Sequence, residues 1–234
     1  MKKINGDSME KSRAKIDLAR MIDHTLLKSE AKPDDIRRLC GEGIKYGFAT
    51  ICVNPCYVKL VSEELIGSKV KVCSVSGFPL GANKPELKVK EAESGCRDGA
   101  SEIDMVINVG ALKSGDHSSI EKEIKLILKA IGRGKILKVI LETSLLTSEE
   151  KITGAKIVKE SGAHFVKTST GFGPGGATVE EVALLRKTVG ENFGVKASGG
   201  IRDCKKTLEL IQAGANRIGT SAGVKIIEEY LQTI

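Results

Sequence analysis

Two lysines stand in the middle of segments that otherwise have the composition of buried β-strands. Lys167 lies within residues 165–171 and Lys196 within residues 194–200. An unpaired ammonium group is costly to remove from water, so neither position favours a lysine on packing grounds. Two lysines in one dry site disfavour each other's charge, and a lysine that becomes neutral is an amine nucleophile able to form a Schiff base with a carbonyl. The pair therefore predicts an enzyme.

Asp104 and Lys138 place two more ionisable side chains in strand-like segments, 102–108 and 137–143. Any one of them is readily explained as a buried ion pair or as a side chain whose charged head reaches water. Four such side chains on four strands are better explained by one common site. Three cations and one anion neutralise each other poorly, so at least one lysine is expected to be neutral.

The elements that position these residues follow a regular alternation. Runs rich in β-branched residues predict strands at 21–26, 48–53, 71–76, 102–108, 137–143, 165–171, 194–200 and 217–220. Helical patterns lie between them, for example 120–131 and 148–161, the second with Thr147 or Ser148 as its N-cap. This order predicts an α/β fold, a (β/α)8 TIM barrel with an extra N-terminal helix. The competing open, doubly wound sheet would have a glycine-rich fingerprint after its first strand, which is missing.

The composition agrees with one barrel domain. The chain has 234 residues, of which 41% are hydrophobic and only 3% aromatic, so Ile, Val, Leu and Ala must build the core, as parallel strands buried on both faces require. We expect a polar N-terminal extension at 1–15 and a single catalytic barrel at 16–234. No signal-like or membrane-spanning apolar run occurs, and the six cysteines are scattered, which predicts a cytoplasmic protein with reduced thiols and no membrane partner.

The net charge of +7 raises the question of nucleic acid. The basic residues are interspersed with 30 acidic ones and few aromatic side chains are present for base stacking, so no nucleic-acid partner is predicted. A modest positive field equally suits a phosphorylated metabolite.

Two glycine-containing turns follow the last two predicted strands, at 198–202 and 219–223. Glycine allows the backbone to approach a ligand closely, and N–H groups at a helix start suit an anion. Many barrels hold a phosphate at this position. A third, glycine-rich loop at 171–178 follows Lys167 and could cover the substrate.

Metal ligands are not indicated. The three histidines, His24, His117 and His164, form no HxH or HExxH spacing. His117 is expected at a helix start and His164 at the far end of its strand, both in structural roles. Cys52 and Cys73 are expected to be small core residues.

At these residues the chain resembles the deoxyribose-phosphate aldolase family. The matching segments are IDHTLL (22–27), ATICVNPCYV (49–58), GFPLGAN (77–83), EIDMVINVGALK (102–113), KVILET (138–143), FVKTSTGFGPGGAT (165–178), KASGGIR (196–202) and RIGTSAG (217–223). The resemblance implies a class I, cofactor-free and metal-free lyase of carbohydrate and deoxyribonucleotide catabolism. Its partners would be a small phosphorylated sugar and aldehydes, since the family reversibly cleaves 2-deoxy-D-ribose 5-phosphate to D-glyceraldehyde 3-phosphate and acetaldehyde.

The same resemblance implies roles for individual residues. Lys167 would be the Schiff-base nucleophile, Lys196 the neighbour that favours its neutral form, and Asp104 the carboxylate that moves protons through water. Lys138 would support this network. The residues expected to bind substrate or its phosphate are Asp23, Thr25, Thr168, Gly171, Gly199, Gly200, Gly219 and Ser221.

The chain departs from some family members at two positions. Phe172 stands where those members have a lysine, and Ala222 where they have a second serine. Either phosphate binding is weaker, or backbone N–H groups alone supply it, and tolerance of unphosphorylated aldehydes is the hypothesis that follows. Two enzyme alternatives stay open, another Schiff-base barrel lyase acting on a phosphorylated sugar and a pyridoxal-phosphate barrel, beside a non-catalytic barrel that binds a phosphate sugar. Barrels of this kind commonly self-associate, so a homo-oligomer, dimer or tetramer, is expected.

Overall fold

The computed structural model describes residues 17–233. Its parallel strands close into a barrel in chain order, with the last strand hydrogen-bonded to the first. The strands are β1 Ile22–Leu26, β2 Thr50–Val53, β3 Lys71–Ser76, β4 Glu102–Val106, β5 Ile136–Ile140, β6 Phe165–Lys167, β7 Gly194–Ser198 and β8 Arg217–Thr220. The predicted (β/α)8 barrel is confirmed.

Helices connect consecutive strands on the outside of the barrel. They are α1 Pro33–Tyr46, α2 Val58–Glu64, α3 Pro85–Arg97, α4 Val109–Lys113, α5 His117–Ile131, α6 Ser148–Glu160, α7 Val179–Val189, α8 Cys204–Gln212 and α9 Gly223–Leu231. Thr147 caps α6 as predicted, its hydroxyl accepting from the Glu150 N–H while the Glu150 carboxylate accepts from the Thr147 N–H. His117 starts α5, whose N-cap is Asp116. No helix within 17–233 has the length and apolar character that a bilayer crossing requires.

The extra helix predicted before the first strand is present only as one 3-10 turn, Ala19–Met21, in the described part of the chain. The rest of that prediction, together with the polar extension at 1–15, lies outside the described residues.

Several strands end earlier than their sequence patterns indicate. β5 stops at Ile140, β6 at Lys167 and β7 at Ser198, although the apolar or small residues continue for two to four positions beyond. The continuing residues leave the sheet at its carboxyl edge, and at that edge of a TIM barrel the connecting loops form the ligand site. These three strands therefore end early because the residues that follow them form the loops of the ligand site.

The large apolar core lies between the strands and the helices. On β4, Ile103 and Met105 belong to that core, whereas Asp104 between them is fully buried but points to the other side, into the barrel. The barrel interior thus holds charged side chains where other barrels carry branched aliphatic ones, and the outward-facing residues supply the hydrophobic stabilisation.

Candidate active site

The Asp104 carboxylate is the centre of the charged interior. Its Oδ1 accepts a hydrogen bond from Lys138 Nζ at 2.8 Å, and its Oδ2 accepts from both Lys167 Nζ and Lys196 Nζ at 2.7 Å. The four residues lie on adjacent strands, β4 to β7, and Lys167 pairs directly with Lys196 in the register of β6 and β7. The structure therefore brings the four predicted catalytic side chains into one contact group.

Asp23 joins the same group from β1. Its Oδ2 accepts from Lys196 and lies 3.4 Å from Lys138 Nζ, while its Oδ1 lies 2.7 Å from an Arg217 guanidinium nitrogen. Asp23 is fully buried. The resemblance implied a position beside the substrate, but the structure places Asp23 beneath Lys196, where it neutralises charge.

Glu102 and Arg217 complete the cluster, and sequence reasoning missed both. Glu102 Oε2 lies 2.6 Å from Lys138 Nζ and 3.1 Å from Arg217. Glu102 stands two residues before Asp104, so strand alternation would have assigned it to the same face. The complete cluster has one more cation than anion when every group is charged: Lys138, Lys167, Lys196 and Arg217 against Asp23, Glu102 and Asp104.

The ion pairs of the cluster shift the pKa values of its aspartates and of two of its lysines, and each shift favours the charged form. Burial alone would raise the pKa values of Asp23 and Asp104, but the surrounding lysines, together with Arg217 at Asp23, outweigh burial and hold both pKa values well below the usual range. Burial would likewise lower the pKa values of Lys138 and Lys196, yet the two aspartates raise both. Lys138 and Lys196 accordingly stay cationic near neutral pH.

These shifts predict an acid-sensitive fold. Because the pKa of Asp23 is lower in the folded than in the unfolded chain, its contribution to stability is complete above about pH 4 and is lost as the pH falls. The free energy of unfolding should decrease from about pH 5 to pH 3 in both proteins. We expect this decrease to be about 1 kcal/mol smaller in the Asp23→Asn variant than in the wild type. Urea unfolding at both pH values measures the difference. The exposed Asp34 provides the control, because Asp34→Asn should follow the wild type; equal acid sensitivity in Asp23→Asn would contradict the assignment.

Cys73 is a buried core residue, as predicted, packed with Leu27, Cys52 and Val75, and it also contacts the charged cluster. Its Sγ lies 3.3 Å from Asp104 Oδ1 and 3.3 Å from Lys138 Nζ, because β3 points it into the charged interior. Burial raises its pKa well above the usual range, so the thiol keeps its proton and donates to Asp104. Cys52 packs in a small apolar cluster with Leu27. Cys52, Cys73 and Asp104 could together face a metal ion, but Asp104 is already shared by three ammonium groups.

A cavity of about 330 Å³ opens above the cluster at the carboxyl end of the strands. Lys167 is the member of the cluster that reaches it, and it is 3% exposed. The predicted ligand-binding residues in its wall are Thr25, Gly171, Gly199, Gly200, Gly219 and Ser221. Four further wall residues belong to the two predicted glycine turns: Ser198, Ile201, Arg202 and Thr220. The other wall residues are Leu26, Leu27, Lys28, Thr170 and Phe172.

Thr168 lies outside the cavity wall. It is fully buried, and its hydroxyl donates to the Ser198 carbonyl and accepts from the Ser198 N–H, both at 3.1 Å. Its side chain thus ties the end of β6 to the end of β7.

The turn after β7 is built from two glycines whose backbone is left-handed. Gly199 and Gly200 both have positive φ values, 89° and 71°, which glycine adopts without strain. The neighbouring loop lies so close that a Cβ on Gly176 would stand 2.3 Å from the Gly199 oxygen. Lys28 and Arg202 add positive charge to the same wall. Phe172 instead turns its ring edge against Phe78, with centroids 5.3 Å apart.

A closed parallel barrel whose cavity holds a lysine amine between a glycine turn and a buried carboxylate is typical of barrel enzymes that use a lysine for carbonyl chemistry. The model of the DeoC/LacD family of aldolases matches residues 18–229. A deoxyribose-phosphate aldolase from Caldanaerobacter subterraneus is 57% identical over 95% of this chain and 97% of its own length. One from Thermococcus gammatolerans is 56% identical over 91% of this chain and 96% of its own. The chain belongs to the DeoC/LacD aldolase family.

Solved structures agree with this assignment. The aldolase QR15 superposes with a TM-score of 0.89 at 45% identity, covering 93% of this chain and 97% of its own. A deoxyribose phosphate aldolase from Aeropyrum pernix, described as a unique tetrameric structure, superposes with a TM-score of 0.86 at 36% identity and covers 93% and 92%.

Proposed function

We propose that the chain reversibly cleaves 2-deoxy-D-ribose 5-phosphate to D-glyceraldehyde 3-phosphate and acetaldehyde, with Lys167 as the Schiff-base nucleophile. The observation that carries this proposal is the position of the Lys167 amine. It is the one cluster nitrogen on the cavity wall, and it contacts Asp104 Oδ2, which Lys196 also contacts. The nearly complete match to aldolases of this name supports the substrate.

The charge balance supports a neutral Lys167 amine. The cluster has one cation in excess, and loss of a single proton would make it neutral. Lys138 and Lys196 each contact at least two carboxylates, whereas Lys167 contacts only Asp104 among the described residues. Lys167 is therefore the lysine of the cluster with the fewest carboxylate contacts, and it is also the one that faces the cavity.

The steps follow from this arrangement. The Lys167 amine attacks the C1 aldehyde of the substrate, and loss of water from the carbinolamine leaves a protonated imine. As the C3 hydroxyl gives up its proton, the C2–C3 bond breaks and its electron pair moves to the imine, so that an enamine forms in place of a bare enolate. Glyceraldehyde 3-phosphate leaves, C2 takes up a proton, and hydrolysis releases acetaldehyde and the free amine.

Asp104 is proposed to transfer the protons of the reaction, and Lys196 is proposed to assist it. Asp104 Oδ2 lies 2.7 Å from the reacting nitrogen, and through a water molecule it can take the C3 hydroxyl proton and return a proton to C2. Lys196 remains cationic, so it holds Asp104 ionised. Lys138 adds a second positive charge beside Asp104, and Asp23 in turn lies beside Lys138.

The phosphate end of the substrate is proposed to lie against the turns of Gly199, Gly200 and Ser221. Backbone N–H groups there suit an anion, and Arg202 and Lys28 lie in the same wall. Lys167 and these turns line the same cavity, so one five-carbon substrate could contact both.

Reductive trapping tests the proposed function. Borohydride added to the protein with acetaldehyde should leave a stable two-carbon adduct on Lys167, located by mass mapping of peptides. Modification of another lysine, or of none, together with no cleavage of 2-deoxyribose 5-phosphate, would overturn the proposal.

A prediction about specificity follows from Phe172. Since this wall position carries no charge, we expect Phe172→Lys to raise the preference for the 5-phosphate over 2-deoxyribose by roughly tenfold, through one added charge-assisted hydrogen bond. The ratio of the two kcat/KM values measures this preference. Phe172→Met is the neutral control and should leave the ratio unchanged; an equal ratio in both variants would contradict the expectation.

We also infer a single catalytic barrel that self-associates and acts in the cytoplasm. The tetrameric description of the Aeropyrum pernix aldolase supports an oligomer of two or four copies, and light scattering of the purified chain would distinguish these states.

A further inference from the structure

Glu142, two residues beyond the end of β5, has an unusual backbone. Its φ and ψ angles are 57° and 64°, and it is the non-glycine residue with positive φ among residues 17–233. Glycine or asparagine would adopt this left-handed conformation more readily. A glutamate at such a position implies that its side chain makes contacts that a glycine could not replace.

The side chain contacts the loop after β6. Glu142 is 4% exposed, and its Oε2 accepts from the Thr170 N–H at 3.2 Å and from the Thr170 hydroxyl. The Thr170 hydroxyl oxygen in turn accepts from the Phe172 N–H at 3.1 Å. Glu142 thus orders the backbone of residues 170–172 through Thr170.

The loop is shaped to approach this carboxylate. A Cβ built on Gly173 would stand 2.9 Å from the Glu142 carboxyl carbon, so only glycine fits there without movement. Glu142 Oε1 is buried and has no hydrogen-bond partner among the described residues. The close approach of Gly173 thus places the loop directly against the Glu142 carboxyl group.

The ordered segment forms one wall of the cavity. Thr170, Gly171 and Phe172 all line it together with Lys167, and Gly171 lies against Gly199 of the proposed phosphate turn. Glu142 itself does not line the cavity. Any effect that it has on the substrate must therefore pass through the position of the loop.

We propose that Glu142 is a positioning residue for substrate binding: its carboxylate holds the turn 170–172 as a preformed wall of the cavity. Lys167 precedes this turn and is fixed separately by β6 and Asp104, so its chemistry does not depend on Glu142. The proposal rests on the proposed function for its assay, and it goes beyond that function by assigning a role in substrate binding to a residue outside the cavity.

Three variants separate the contributions of the side chain. Glu142→Gly removes the carboxylate and fits the left-handed backbone, Glu142→Asn keeps a polar group that is too short to reach Thr170, and Glu142→Gln keeps one acceptor oxygen at the original distance. We expect KM for 2-deoxyribose 5-phosphate to rise at least tenfold in the glycine and asparagine variants, with kcat within threefold of the wild type. The glutamine variant should rescue KM to within threefold.

Borohydride trapping with acetaldehyde provides the second measurement. Acetaldehyde does not reach the proposed phosphate turn, so trapping on Lys167 should stay within threefold of the wild type in all three variants. A KM within twofold of the wild type in both Glu142→Gly and Glu142→Asn would overturn the proposal, as would an equal rise in Glu142→Gln. A purely structural role would lower the melting temperature and leave KM unchanged. Failure of the proposed function appears separately, as a wild-type protein without activity.

Discussion

Replacement of Lys167 by methionine is expected to lower kcat/KM for 2-deoxyribose 5-phosphate by at least about 10⁴-fold, the scale on which an enzyme loses activity without its covalent nucleophile. Methionine has a similar length and fits the buried position, while Asp104 keeps Lys138 and Lys196 as partners. The fold should therefore persist, and the loss should lie in kcat.

The measurement combines steady-state kinetics with reductive trapping. Lys167→Met should form no acetaldehyde adduct, whereas Lys187→Met, a change at an exposed position of α7, should react as the wild type does. Residual turnover above one hundredth of the wild-type value, or an adduct on another lysine of the variant, would refute the role of Lys167.

Replacement of Lys196 by leucine is expected to lower kcat by about 10²–10⁴-fold, the range typical of a group that assists proton transfer. The variant removes the cation that shares Asp104 Oδ2 with Lys167, while Asp23 keeps Lys138 and Arg217 as partners. A lone lysine beside an ionised aspartate keeps its own proton more firmly than one beside a second cation.

The pH dependence distinguishes this explanation from simple loss of structure. With Lys196 absent, no second ammonium group shares Asp104 Oδ2 with Lys167, so formation of the acetaldehyde adduct should require a higher pH than in the wild type. At high pH the trapped fraction should approach that of the wild type. Lys187→Leu serves as the control. Adduct formation at the same pH as in the wild type would show that the Lys196 charge does not act on the nucleophile.

The barrel could be predicted because its signals are local. The β-branched runs and the capped helices carry their own periodicity, and the strands at 71–76 and 217–220 end where the pattern ends. The strands that approach the site were predicted too long. Thr168, Ser169 and Thr170 have the composition of a strand, but β6 ends at Lys167 and their side chains instead bond to neighbouring segments, as Thr168 does to Ser198 and Thr170 to Glu142.

The site was predictable only in part for a similar reason. Lys167 and Lys196 are conspicuous as charges within apolar strands, whereas Glu102 stands at a strand start, where a charge is unremarkable. Arg217 occupies the same kind of position. The part played by Glu142 has no sequence signal, because it depends on a left-handed backbone and on the approach of Gly173. Asp23 was identified, but its burial beneath Lys196 depends on the closure of the barrel.

That closure has a consequence for how the chain reaches its native state. Asp23 belongs to the first strand, yet its partner Arg217 lies 194 positions further along, on the strand that completes the ring. A nascent polypeptide that has not yet emerged past β8 carries an aspartate whose counter-ions are incomplete, and a half-barrel fragment would have to hydrate it. We therefore expect a fragment that ends before β8 to be less stable than the full chain, because it buries Asp23 without one of its cationic partners.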